Sequence, residues 1–133
     1  GRTMSNAHAV AHGAFGRACL YAMDRAMAPH AHREGHLIFH ADGAPAEVVV
    51  DGRVMSLSPG HAGAISPWQP HWFRPRRSGD RMLALVLYVR PAWFVEASRQ
   101  AAGILRFGRA DVEVSGHLAM LVAETARLLA TFG

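Results

Sequence analysis

Apolar and polar positions alternate in short runs along this chain, and turn residues interrupt them every eight to twelve positions. Alternation with period two marks half-buried strands. It predicts strands at Phe15–Ala22, Arg25–His32, His36–His40, Ala46–Val50, Arg53–Leu57, Ala62–Ile65, His71–Arg74 and Met82–Val89. The breaks fall at Asp42-Gly43-Ala44-Pro45, Asp51-Gly52, Ser58-Pro59-Gly60, Pro67 and Ser78-Gly79-Asp80. Asp51-Gly52 joins EVVV to RVMSL. A two-residue Asp-Gly loop between β-branched runs predicts a type I′ hairpin, because both turn positions need positive φ. MLALVLYV is too long and apolar for an exposed edge, and is expected at the centre of a sheet. Many short strands at even spacing predict a β-sandwich or barrel.

The pattern differs at the two ends. Residues 1–13 are small and polar without a clear period, and are expected to be a flexible arm ahead of a barrel spanning 14–90. From Pro91 the spacing turns helical, and residues 91–133 are expected to carry one or two helices. Proline suits a first helical position, where its missing N–H costs nothing. A short helix is predicted to about Gln100, with Gly103–Arg109 open between strand and loop. Ser115 is expected to cap a last helix reaching about Thr131. Leu118, Leu121, Val122, Thr125, Leu128, Leu129 and Phe132 share one face of it. Such a stripe serves equally to pack on the barrel or to pair with its twin in a homodimer.

Composition narrows the class. The chain has 133 residues, half of them hydrophobic and 18% charged, which suits one globular domain and not disorder. All 14 basic residues are arginine, and with abundant Ala and Gly this suggests a GC-rich bacterial source. The formal charge of +4 is scattered apart from Arg74, Arg76 and Arg77, a weak signal for nucleic acid. The single Cys19 excludes an intrachain disulfide and fits a reducing cytoplasm. Its apolar setting points to a buried, inert thiol. No apolar run is long enough for a membrane span, and no signal peptide is evident.

The chemistry concentrates in PHAHREGHLIFH, residues 29–40, which hold four of the nine histidines. Residues two apart on a strand point to one side, so His30 and His32 are expected to aim into one space. His36 shares their parity, and His71 follows in SPWQPHWF. Neutral imidazole is a good ligand for zinc, nickel, iron and copper. His30, His32, His36 and His71 are therefore the candidate metal ligands. Hydrogen-bonded interior histidines without metal are the alternative. His40 has the parity to face inward beside them and is a further candidate ligand contact, whereas His8, His12, His61 and His117 show no local pattern and are expected on the surface. Trp68, Trp72 and Phe39 are the aromatic candidates for stacking on a flat ligand, with ordinary core as the alternative for Phe39 and Phe73. Trp68, in a loop, is expected exposed or covering a pocket.

These spacings resemble the cupins, and more closely the sugar-binding, AraC-type cupins that form the N-terminal sensory part of bacterial transcriptional regulators. The first cupin motif reads Gly-x5-His-x-His-x3/4-Glu-x6-Gly. His30-x-His32-x3-His36-x6-Gly43 keeps that spacing, with His36 in the glutamate's place and Asp24 at the first glycine. The second reads Gly-x5-Pro-x-Gly-x2-His-x3-Asn. Gly60 and His71 stand at its separation, with Ser66, Trp68 and Pro75 replacing the proline, the second glycine and the asparagine. PWQPH and LYVRPAWF resemble the regulatory group, and the likeness covers residues 14 to 94.

The resemblance implies a mostly β fold, a double-stranded β-helix or jelly-roll barrel followed by C-terminal helices. It implies a small-molecule ligand, a homodimer, and DNA contact only through helix-turn-helix units that this chain lacks. Loss of the glutamate shifts the expected metal to zinc or nickel, with iron or copper next. The expected function is a cytoplasmic ligand-sensing domain and not an enzyme. A small stand-alone metal-dependent dioxygenase, isomerase or lyase is the alternative.

Overall fold

The structure is a computed structural model that describes residues 5–13, 16–26, 29, 31, 33–90 and 111–132. Nine strands are described: β1 (Ser5–Gly13), β2 (Gly16–Met23), β3 (Gly35–Gly43), β4 (Ala46–Val50), β5 (Arg53–Leu57), β6 (His61–Ile65), β7 (His71–Pro75), β8 (Met82–Val89) and β9 (Asp111–Glu113). Helix α1 (Gly116–Phe132) follows them. The strands form a six-stranded sheet in the order β1-β2-β8-β3-β6-β9 and a three-stranded sheet in the order β5-β4-β7. All their pairings are antiparallel.

Alternation decides what each sheet buries. Cys19, Met23, Ile38, Ile65, Met82, Ala84, Val86 and Tyr88 of the larger sheet meet Ala46, Val48, Val50, Met55, Leu57 and Phe73 of the smaller one. Full burial of a side chain such as Leu57, Ile65 or Phe73 contributes roughly 1.5–3 kcal/mol. The opposite parity of the larger sheet makes a second core of Ala18, Leu20, Phe39, Ala62 and Leu85, which α1 covers with Val122, Ala126 and Leu129. The helix thus packs on its own barrel, through Val122 and Leu129 of the predicted stripe together with Ala126, which that stripe did not include. Leu121 and Leu128 of the same stripe are exposed. The Ser115 carbonyl accepts the Ala119 N–H at 2.9 Å, as a cap residue should.

The local turn chemistry holds. Asp51 and Gly52 have φ of 50° and 76°, both left-handed, so EVVV folds back on RVMSL with Val50 opposite Arg53. MLALVLYV runs between β2 and β3, central as its composition requires. Among the described residues no helix is long and apolar enough to cross a membrane.

Two expectations are corrected. The N-terminal arm is a strand from Ser5 onward, because its backbone pairs along β2 in a ladder that small residues do not announce. Residues 24–26, 29, 31, 33 and 34 lie outside any strand, so the strand Arg25–His32 is not found there. Pro29 explains part of this, since it cannot donate to a ladder. The helix expected from Pro91 and the segment Gly103–Arg109 fall outside the described residues.

Candidate functional site

Strand register places one polar row across the inner face of the larger sheet. Arg17 of β2 sits opposite Tyr88 of β8, Tyr88 opposite His36 of β3, and His36 opposite Ile65 of β6. The next rows inward are apolar, with Cys19, Val86 and Ile38 in register. From the smaller sheet His71, opposite Val50, faces this row. The His36 and His71 rings are edge-on with centroids 4.6 Å apart, and the Tyr88 ring lies 5.2 Å from His36. The Arg17 guanidinium lies over the Tyr88 ring, 3.9 Å from its centroid. Four planar groups therefore line one end of the barrel.

His71 is oriented by the loop before it. Pro67 and Trp68 form a turn closed by the Gln69 N–H donating to the Ser66 carbonyl at 3.1 Å. Gln69 receives the Ser66 N–H at 3.0 Å and donates to Asp51 at 2.7 Å, which ties this loop to the β4–β5 hairpin. The His71 Nδ1 then donates to the Gln69 carbonyl at 2.9 Å. A ring nitrogen facing a carbonyl must carry the proton, so the lone pair of neutral His71 is on Nε2. Both His36 and His71 are 2% exposed.

The two tyrosines of the chain meet in the same space, their hydroxyls 3.2 Å apart. Burial, then the bond to Tyr21, push the Tyr88 phenol well above its ordinary pKa. Burial raises Tyr21 as well. Burial pulls the Arg17 pKa down, but the bond to Glu34 and its charge outweigh this, and the net shift is upward. All three groups thus keep their neutral-pH charge states.

Of the four proposed metal ligands, the fold brings together His36 and His71, while His30 and His32 lie outside the described residues. Among the described residues no three His, Cys, Asp or Glu side chains form a metal-binding group. The pair that is described suits a metal that prefers imidazole: it is buried, and the Gln69 carbonyl holds one ring as outer-shell partners of ligating histidines do.

The four proposed ligand contacts are dispersed. Phe39 is on the outer face beneath α1, since its odd position in β3 turns it away from the interior. Trp72 is outward on β7, where Arg74 lies over its ring at 5.2 Å and is itself bonded to Glu47. His40 has the inward parity of His36 but sits about 13 Å along the strand from it, and donates to the Gly43 carbonyl at 2.8 Å. Trp68 is 65% exposed, as a loop position suggests. Of the surface histidines, His12, His61 and His117 are exposed. Arg17, Tyr21, Glu34 and Tyr88 are the site residues missed in the sequence. The alternation of GRACLYAM does set Arg17, Cys19 and Tyr21 on one face, but that strand reads as ordinary core.

No protein-family model matches the chain, and no match is found among curated proteins. Solved structures do share the architecture. The Cupin 2 conserved barrel domain protein from Salinispora arenicola has a TM-score of 0.52 at 15% identity, over 68% of this chain and 75% of that one. A cupin-2 domain containing protein from Shewanella frigidimarina gives 0.54 at 10% identity, over 64% and 80%. The DMSP lyase DddQ from Ruegeria pomeroyi gives 0.50 at 24% identity; the match covers 56% of this chain and 38% of the lyase. The fold is the jelly-roll cupin barrel with a C-terminal helix that the sequence motifs imply.

Proposed function

Taking the cupin barrel as the premise, we propose that this chain is the ligand-sensing domain of a transcriptional regulator of the AraC type, binding a small organic molecule inside the barrel. The observation that carries the reading is the polar row Arg17–Tyr88–His36 facing His71. It offers guanidinium, phenol and imidazole donors at one end of an otherwise apolar interior, the mix by which a pocket orients a small ligand. The sequence likenesses in PWQPH and LYVRPAWF support the regulatory group over the enzymes. On this reading binding is the role of this chain, and a pair of helix-turn-helix motifs downstream in the same reading frame is the observation that would decide for the regulator.

A thermal-shift screen of sugars and aromatic acids tests this. A ligand at a hundred times its Kd stabilises the folded state by about 2.7 kcal/mol. Tyr88→Phe should reduce the shift for the ligand that gives it. If neither class moves the melting temperature while zinc or nickel does, the sensor reading fails.

The second reading is a metal-dependent cupin enzyme, favoured by the tautomer that the Gln69 carbonyl imposes on His71. His36 and His71, with His30 and His32 by the sequence motif, would hold the ion. A bound transition metal would supply Lewis acidity. The protein's own part is to bury both imidazoles and, through the Gln69 carbonyl, to orient that of His71.

A further inference from the structure

Arg17 is unusually placed for an arginine. It projects from the inner face of β2, and its guanidinium carbon lies over the Tyr88 ring, 3.9 Å from the centroid, at the end of the polar row. A guanidinium over an aromatic face keeps its edges for hydrogen bonds. Those edges are poorly used. Nη2 donates to Oε1 of Glu34 at 3.3 Å, and Nη1 donates to Cys19 Sγ at 3.6 Å. Charge-assisted N–H···O bonds are typically about 2.7–2.9 Å, and arginine and carboxylate favour two parallel bonds. Here one carboxylate oxygen makes one long bond, and a thiol, a weak acceptor, takes the other edge.

Glu34 is suited to leave. It lies in a bend immediately before β3, outside the strand ladder, and its side chain is 27% exposed. Arg17 is 35% exposed, so water reaches the pair and the pairing itself adds little stability. Resting on the sensor reading above, we infer that the ligand carries a carboxylate, and that Glu34 occupies the ligand's place on Arg17 until it binds. A free carboxylate is not tethered to the backbone and is able to take the fork with both oxygens. The neighbouring phenols and imidazoles then orient the rest of the molecule. Glu34 sets a threshold, since the ligand must outcompete an internal carboxylate held beside the guanidinium.

The test is rescue by exogenous carboxylate. Glu34→Ala protein is melted in acetate and in benzoate, with acetamide and benzamide as neutral isosteres at matched ionic strength. Carboxylates should raise its melting temperature, and benzoate should bind about two- to fivefold more tightly than to wild type, the scale of one competing part-exposed ion pair. Amides should do nothing, and the double variant Arg17→Gln/Glu34→Ala should not respond. Glu34→Gln, which keeps the side-chain volume, should fall between Glu34→Ala and wild type. Equal responses to carboxylate and amide, or none in Glu34→Ala, overturn the inference. A neutral sugar that stabilises wild type while Glu34→Ala ignores carboxylates removes the carboxylate and leaves the sensor standing. Wild type silent to sugars and acids alike removes the sensor, whatever Glu34→Ala does.

Discussion

Trp68 shows how much one backbone angle constrains. Its φ of 62° is left-handed, at the third position of a Pro-led turn where the motif carries glycine. A side chain with a Cβ costs about 1–2 kcal/mol there, while glycine adds back roughly 0.5–1 kcal/mol of lost chain entropy. The indole is mostly exposed, so little burial is lost with it. Trp68→Gly should therefore raise stability by up to about 1 kcal/mol in urea unfolding, and a loss would mean that the indole is buried against something. At the same scale, Tyr88 sets an alkaline limit. Its phenol ionises above the ordinary value when folded and near pH 10 when unfolded. The unfolded chain therefore releases the proton first, and the stability present below about pH 10 falls as pH rises beyond it, by up to about 1.4 kcal/mol per pH unit. Tyr88→Phe should make that decline shallower, leaving Tyr21 as the remaining phenol. With two tyrosines in the chain, the phenolate absorbance band reports on this pair alone.

Among the elements, α1 separates what periodicity states from what packing selects. Its stripe spans Leu121, Val122, Leu128 and Leu129, yet the barrel takes Val122, Ala126 and Leu129. A helix face is wider than the groove it fills, so a stripe identifies a side without identifying the contact. Leu129→Ala should cost about 2–3 kcal/mol, the lower part of the range for buried leucine. Leu121→Ala should cost less than about 1 kcal/mol, because Leu121 is already 52% exposed. Both follow from denaturant midpoints at fixed protein concentration. An equal loss at Leu121 would show that a second surface covers it, as the homodimer expectation requires.

For the whole molecule, the two sheets close over a core that is apolar along most of its length and polar at one end. His36 comes from one sheet and His71 from the other, so a ligand or ion held by both ties the layers together. Zinc or nickel should raise the melting temperature of wild type and leave His36→Gln and His71→Gln unmoved. A shift surviving in both variants would place the metal elsewhere. Binding to the folded state alone converts affinity directly into stability.

The sequence by itself determined the strands whose patterns are local. EVVV-Asp51-Gly52-RVMSL and MLALVLYV carry their period and their turn in adjacent residues, and fold as they read. It also determined that His36 and His71 share a space, through motif spacing. It did not determine β1, whose strand exists by pairing with β2 and not by its own side chains. Nor did it separate Phe39 and Trp72, which parity turns outward, from Tyr88 and Arg17, which parity turns inward. Parity says that two residues share a face, but not which face meets the other sheet. The row Arg17–Tyr88–His36 joins residues from three strands, and only the register of those strands sets them side by side. That register is a long-range pairing chosen by closure of the whole core, so the site became legible when the barrel closed.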